Sequence, residues 1–261
     1  MGVIEAVAVN HWYESSVGTF KALQNLDLVV GRNEFVCLLG PSGCGKSTFL
    51  KIVAGLITPS NGEVRLHGRR ITGPGLNRGI VFQEPALFPW LTVVGNVEFG
   101  LLMGGWKKAE ARERAQHVLQ IVGLAACSSW YPYQLSGGMK NRAAVARAWA
   151  LEDADVLLMD EPFSGADAIT RTALQDHLIK TWRAEPRTVL FVTHDVEEAV
   201  YLADRIVVWT PSPGRVGDDL HVSLPRPRDR NASEVTALKT KITSFMHELA
   251  AEKQSGKIDS G

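Results

Sequence analysis

Apolar residues fall along this chain in two rhythms, and the change from one to the other marks its parts. Residues 3–9, 26–30 and 63–67 read as short strands, with Gly31, Arg32 and Asn33, then Ser60, Asn61 and Gly62, as turn signals. That spacing predicts an N-terminal antiparallel layer. Residues 34–39 (EFVCLL) form a nearly unbroken apolar run closed by Gly40, the pattern of a strand buried on both faces. Residues 47–55 shift to helical spacing, with Phe49, Leu50, Val53 and Ala54 on one side. A short strand is expected over 79–82. The character changes over residues 84–153. There, 107–122 carries charges on one face and Ala115, Val118, Leu119 and Val122 on the other, and 136–151 reads as a second helix. Strands at 156–159, 188–193 and 205–209 then alternate with helices at 168–183 and 197–203. Such alternation implies a mainly parallel sheet with right-handed crossovers. The expected fold class is therefore α/β, with an inserted helical subdomain at about 84–153 inside a body of residues 1–230. Residues 231–261 add a C-terminal helix over 233–253, with Val235, Leu238, Ile242, Phe245 and Leu249 at helical spacing, and a tail over 255–261 expected to fray. Proline-rich stretches at 211–213 and 225–230 read as extended connectors.

Composition narrows the function classes. The 261 residues suffice for one large domain or two intimate subdomains. Lys and Arg number 28, as do Asp and Glu, so no overall field draws the chain to nucleic acid. Cys37, Cys44 and Cys127 are scattered, without a CxxC pair, which argues against a disulfide frame or zinc ribbon and for a reducing compartment. The first ten residues lack a basic secretory n-region, and no run approaches the roughly 20 apolar residues of a membrane helix. Any membrane role is expected to run through another chain.

The run Gly40, Pro41, Ser42, Gly43, Cys44, Gly45, Lys46, Ser47, Thr48 fits the phosphate-loop pattern GxxxxGK[ST] at every fixed position and lies between a strand and a helix. Glycines let consecutive backbone N–H groups converge on a phosphate, and the helix beginning near Lys46 adds its positive end. Lys46 is expected to reach the β- and γ-phosphates of ATP, and the Ser47 hydroxyl to ligate Mg²⁺. The apolar strand 156–159 ends in Asp160 and Glu161. Asp160 suits Mg²⁺ coordination through water, and Glu161 is placed to polarise the attacking water. The bland reading of the pair is a helix cap. His194, at the tip of the next buried strand, is a candidate to contact the γ-phosphate, because strand ends of such sheets converge on the ligand.

Taken with the run Leu135, Ser136, Gly137, Gly138, Met139, these motifs resemble the ATP-binding subunits of ABC transporters over essentially residues 1–230. The resemblance implies the ABC ATPase fold on a P-loop NTPase core, and an ATPase that powers transmembrane transport. It implies that two copies of the chain share two ATP sites, with Ser136, Gly137 and Gly138 of one copy meeting the phosphate held by Lys46 of the other. It further implies that Gln83 attends both Mg²⁺ and the membrane subunit, that Asp167 sits at the dimer seam, and that Tyr13 stacks on adenine, with Trp12 as the competing ring. Implied partners are a second copy, integral membrane permease subunits and, indirectly, an extracytoplasmic solute-binding protein, with no nucleic acid. The implied location is peripheral, on the cytoplasmic face of the membrane. A soluble ABC-type ATPase with a non-transport role is the alternative.

Departures are Met139, Lys140 and Asn141 in the signature, where activity is expected to be tuned rather than lost, and Ser164, Gly165 and Ala166 before Asp167, where a missing Leu bears on packing at the seam. Residues 83–93 (QEPALFPWLTV), 71–75 (ITGPG) and 224–228 (LPRPR) resemble the nitrate/sulfonate/taurine importer branch. Leu87, Phe88, Trp90 and Leu91 either line a groove for a short permease helix or form a core cluster between lobes.

Overall fold

The computed structural model describes residues 2–16, 18–152 and 154–254, so the tail at 255–261 lies outside the described residues. In chain order the elements are β1 (Ile4–Ser15), β2 (Gly18–Val30), β3 (Phe35–Leu39), α1 (Lys46–Ala54), β4 (Asn61–Leu66), β5 (Arg69–Arg70) and β6 (Arg78–Val81). Then come α2 (Val93–Met103), α3 (Lys108–Ile121), α4 (Gly137–Ala150), β7 (Val156–Asp160), α5 (Ala168–Ala184) and β8 (Thr188–Thr193). α6 (Val196–Leu202), β9 (Arg205–Trp209), β10 (Val216–His221) and α7 (Ser233–Gln254) complete the fold. The chain divides into two compact units, residues 1–74 with 190–261, and residues 75–189.

The first unit holds the antiparallel layer in the order β2-β1-β4-β5. Its strands run longer than the apolar alternation shows, because β1 and β2 continue as a ribbon to Ser15 and Gly18, where side chains are exposed on both faces. Asn61 and Gly62, expected in a turn, lie inside β4 instead. Gly62 meets β1 at a bulge, where a Cβ would come 2.2 Å from Ala8 O, so only glycine lets the two backbones approach. Behind this layer β3 pairs parallel with β9, and β10 pairs antiparallel with β9 as an edge. Every residue of β3 is buried, as the apolar run predicts. Phe49 of α1 packs on Trp209 with ring centroids 5.7 Å apart, and each such buried side chain contributes about 1.5–3 kcal/mol. β10 (VGDDLH) shows no strand pattern in the sequence because its buried content is low, and of its two acids Asp219 is forked by Arg205 of the paired strand β9.

In the second unit β6 pairs parallel with β7, and α2 to α5 pack around them. α2 has no sequence forecast, because VVGNVEFGLLM is apolar nearly all round and shows no stripe; Thr92 starts it, its hydroxyl accepting from Gly95 N at 3.2 Å. Arg114 of α3 forks onto Glu185 at 2.8 and 2.7 Å and also reaches the Trp149 and Ala150 carbonyls. The fork holds the Glu185 carboxyl below its ordinary range. Among the described residues no helix is long and apolar enough to cross a membrane.

Candidate functional site

In the first unit the phosphate-loop residues wrap the start of α1. Gly45, the N-cap, has φ 96°, and a Cβ there would lie 2.5 Å from Ala22 O and 2.8 Å from Leu23 Cδ2. Both the conformation and the space therefore demand glycine. Gly40 lies against Trp209, where a Cβ would meet the Trp209 Cβ at 3.0 Å. Trp209, with Ala22, Leu23 and Gly214 behind the loop, gives this loop its backing; nothing local in the sequence marks these residues as its neighbours. Lys46 is 4% exposed, and its ammonium donates to Gly40 O at 2.7 Å, Pro41 O at 2.8 Å and Cys44 Sγ at 3.5 Å. Burial pushes the Cys44 thiol up, with Lys46 pulling the other way, so Cys44 stays a thiol. α1 has no side-chain cap and no acid in its first turn. No acidic side chain of that turn offsets the positive end of the helix dipole, and a phosphate group suits such a helix start in kind.

Tyr13 projects from the β1–β2 ribbon, 43% exposed, and its hydroxyl lies 3.2 Å from the Thr48 hydroxyl of α1. The His11 ring meets it edge-on at 4.7 Å. Successive strand side chains face opposite ways, so Tyr13 rather than Trp12 shares a face with the phosphate loop. His194 is exposed at the end of β8. Beside it the Thr193 hydroxyl accepts from Asp195 N at 3.0 Å and donates to Glu198 Oε2 at 2.6 Å. Asp195 caps α6 by accepting from Glu197 N and Glu198 N. Thr193 and Glu198, which bond around the turn that carries His194, carry no motif signal.

In the second unit Ser136 is the N-cap of α4, its hydroxyl accepting from Met139 N at 3.3 Å. Gly137 and Gly138 form the first turn, which again lacks acid. A Cβ on Gly138 would come 2.9 Å from Thr170 Cγ2 of α5, whereas one on Gly137 would meet open space. Met139, Lys140 and Asn141 are half-buried. Asp160 ends β7 at 8% exposure. Glu161 follows with φ 44°, a left-handed conformation that costs a non-glycine residue about 1–2 kcal/mol and aims it off the strand axis. Ser164 N donates to Glu161 O at 3.0 Å and Ala166 N to Phe163 O at 3.2 Å, so the departures from the family pattern sit in a tight pair of turns. Asp167 caps α5, accepting from Ile169 N, Thr170 N and the Thr170 hydroxyl at 3.1, 3.0 and 2.7 Å. The Thr170 hydroxyl, then its N–H, hold the Asp167 carboxyl below its ordinary value.

Gln83 is exposed just beyond β6. The loop after it is stapled by buried Asn96, which accepts from Phe88 N at 2.7 Å and donates to Phe88 O, Leu91 O and Thr92 O. Arg147 of α4 donates to Ala86 O and Pro85 O and lies over the Phe88 ring. Phe88 packs on Phe99 at 4.6 Å, while Trp90 is 70% exposed. Phe88 and Phe99 line an open apolar groove in this unit together with Ile80 and Phe82, and Trp90 is not part of its lining.

Ser47, Gln83 and Asp160 offer hard oxygen donors, the kind Mg²⁺ takes alongside substrate phosphates. Among the described residues no cluster of three or more His, Cys, Asp or Glu gathers to hold a metal by itself.

Comparison with known proteins shows the family. The family model described as ABC transporter matches residues 23–164. An uncharacterized ABC transporter ATP-binding protein of Methanocaldococcus jannaschii is 49% identical, over 90% of this chain and 87% of its own length. A nitrate import ATP-binding protein of Synechocystis is 41% identical, over 94% and 91%. An aliphatic sulfonates import ATP-binding protein of Bacillus licheniformis is 44% identical, over 86% and 88%. Among solved structures, the dimeric post-hydrolysis state of an ATP-binding cassette bound to ADP and Pi matches with a TM-score of 0.74 and 31% identity, over 85% of this chain and 100% of that one.

Proposed function

The chain belongs to the ABC transporter family as an ATP-binding subunit, an ATPase, and from that premise we propose that it powers import of nitrate, an aliphatic sulfonate, taurine or a related small solute. It acts as a pair of identical subunits on the cytoplasmic face of the membrane, bound to permease chains; an extracytoplasmic binding protein and the permease chains select the cargo, which never touches this subunit. The observation that carries the shared site is the pair of helix starts at α1 and α4, both built from glycine and hydroxyl residues and both without acid.

When bound, MgATP supplies the cleavable phosphoryl bond and the cation that draws charge from it. The α1 amides and Lys46 hold its phosphates; Ser47 and Gln83 would offer oxygen ligands to the metal, and Asp160 would hold it through water. Tyr13 stacks on the base. Ser136, Gly137 and Gly138 of the second copy close over the terminal phosphate, with Asp167 at the seam. Glu161 takes the proton of the attacking water, and His194 fixes that water's geometry. Closing moves the permease from one access state to the other, and hydrolysis reopens the pair. The apolar groove lined by Phe88 and Phe99 receives the permease.

The test is Glu161→Gln in the full chain. Turnover is expected to fall by about 10²–10⁴-fold while MgATP affinity holds, and a dimer should accumulate in ATP on size-exclusion chromatography. Wild-type hydrolysis by this variant would overturn the base assignment. A dead variant that stays monomeric in saturating MgATP would overturn the shared site. Cargo is read by reconstituting the subunit with its permease and binding protein and comparing ATP-driven uptake of nitrate, taurine and a longer alkanesulfonate.

A further inference from the structure

The arginine-rich stretch at 225–230 has no part in the site above, yet its side chains converge on one short helix. α6 has seven residues and no basic residue in its last turn. Ala203 N satisfies Ala199 O at 3.0 Å, which leaves the carbonyls of Val200, Tyr201 and Leu202 without helical partners. All of them accept from this distant stretch. Arg228 Nη1 donates to Val200 O at 2.8 Å and Tyr201 O at 3.1 Å, and Arg226 Nη2 donates to Leu202 O. The Arg230 guanidinium lies 3.4 Å over the Tyr201 ring. Arg228 is 6% exposed and also donates to Val222 O and Leu224 O, which closes the stretch on itself. Burial, with Arg226 adding repulsion, lowers Arg228 to about 10, so it is charged near neutral pH. Arg226 pairs with Asp204, whose carboxylate accepts from Phe35 N at the start of β3.

The other end of α6 is held as firmly. Thr193, Asp195 and Glu198 form a closed set of hydrogen bonds around the turn that carries His194. A two-turn helix pinned by guanidinium groups at its C-terminus and by this set at its N-terminus has little freedom to roll or fray, because each buried bond lost leaves an unmet polar group.

We propose that Arg228, assisted by Arg226, is a positioning residue for ATP hydrolysis: through α6 it fixes the turn that aims His194. The inference rests on the reading of His194 as a group facing the terminal phosphate. Neither arginine touches nucleotide, so the effect falls on turnover and not on binding.

The experiment is a double-mutant cycle on the purified full chain, read by steady-state hydrolysis of MgATP. Arg228→Met is expected to lower kcat by about tenfold or more while KM stays within about twofold. Arg228→Lys, which keeps the charge but loses the fork, should recover part of the loss. In a His194→Ala background Arg228→Met should cost little further. An unchanged kcat in folded Arg228→Met overturns the proposal, and so does an equal fold-loss in both backgrounds. Unimpaired turnover in His194→Ala removes the His194 reading and the proposal with it; impaired His194→Ala beside unimpaired Arg228→Met removes the proposal alone. Should Arg228→Met not fold, the same cycle with Arg228→Lys and Arg226→Lys decides by the same two criteria.

Discussion

Four helices in this protein begin in two opposite ways. α5 and α6 start on aspartates, Asp167 and Asp195, each accepting from N–H groups of its own first turn, and α6 adds Glu197 and Glu198 there. α1 and α4 start on Gly45 and Ser136 with no acid in the first turn. All four carry the same partial positive charge, worth about half an elementary charge, at that end. The chain cancels it in two places and leaves it open in two others. The open pair are the phosphate loop and the signature turn, the two motifs that point to nucleotide. α2 also starts without an acid, on Thr92, so it is the withheld acid together with a glycine-rich start that sets α1 and α4 apart.

The comparison breaks hardest at Gly45. Ala in its place has to hold φ near 96° with its Cβ 2.5 Å from Ala22 O. Gly45→Ala is expected to cost about 2–4 kcal/mol of stability in chemical denaturation. In isothermal titration it should weaken ATP by about a hundredfold or more, since the loop must shift. A variant of normal affinity would show that the loop's shape is not what binds.

Next in size is Gly137→Asp, which closes an open helix start in space that will accept a side chain. Its effects should have opposite signs. The acid at the dipole and the loss of a helical glycine are expected to raise stability by about 1–2 kcal/mol. The same charge should repel the terminal phosphate across the dimer and cut turnover by about ten- to a hundredfold. Gly137→Ala separates charge from bulk: it should keep most of the turnover. If Gly137→Asp hydrolyses ATP normally, α4 does not face phosphate.

How far the sequence revealed this depends on the range of each contact. The strand–loop–helix setting of residues 40–48 and the place of Asp160 and Glu161 at the end of β7 are legible because local spacing after an apolar run fixes both. The buried strands β3, β7 and β8 were legible for the same reason. The backing of the loop by Trp209 and Gly214 was not, because those residues arrive from the far end of the chain and look like core and turn. α2 was hidden by being apolar all round, and Asn96 within it has no motif that announces a loop staple. The stretch at 225–230 read as a connector because nothing in a proline–arginine alternation shows which carbonyls it will meet. Glu161 carries a further feature no pattern reveals, its left-handed backbone at the start of the turn in which its carbonyl accepts from Ser164 N.

The smallest effect tests the closed side of the comparison. Asp167 is depressed below its ordinary value of 3.8, chiefly by the Thr170 hydroxyl and then by the Thr170 and Ile169 N–H groups. A lowered folded pKa means the unfolded chain binds the proton first as pH drops. The contribution of Asp167 is therefore complete above its ordinary value and is lost as pH falls from there through its folded value. Glu185 is depressed by Arg114 and titrates in the same direction, so wild-type melting alone does not isolate the cap. The difference between wild type and Asp167→Ala does. Near pH 7, without nucleotide, that difference should be at most about 2–4 °C in Tm, and it should shrink toward zero at the acid end. A gap that is constant across the range would mean the carboxylate is not the cap. Turnover at pH 7 then asks about the seam: if Asp167→Ala loses activity at a temperature where it is fully folded, the residue acts at the dimer interface as well as on α5, and if activity is intact it is a cap alone.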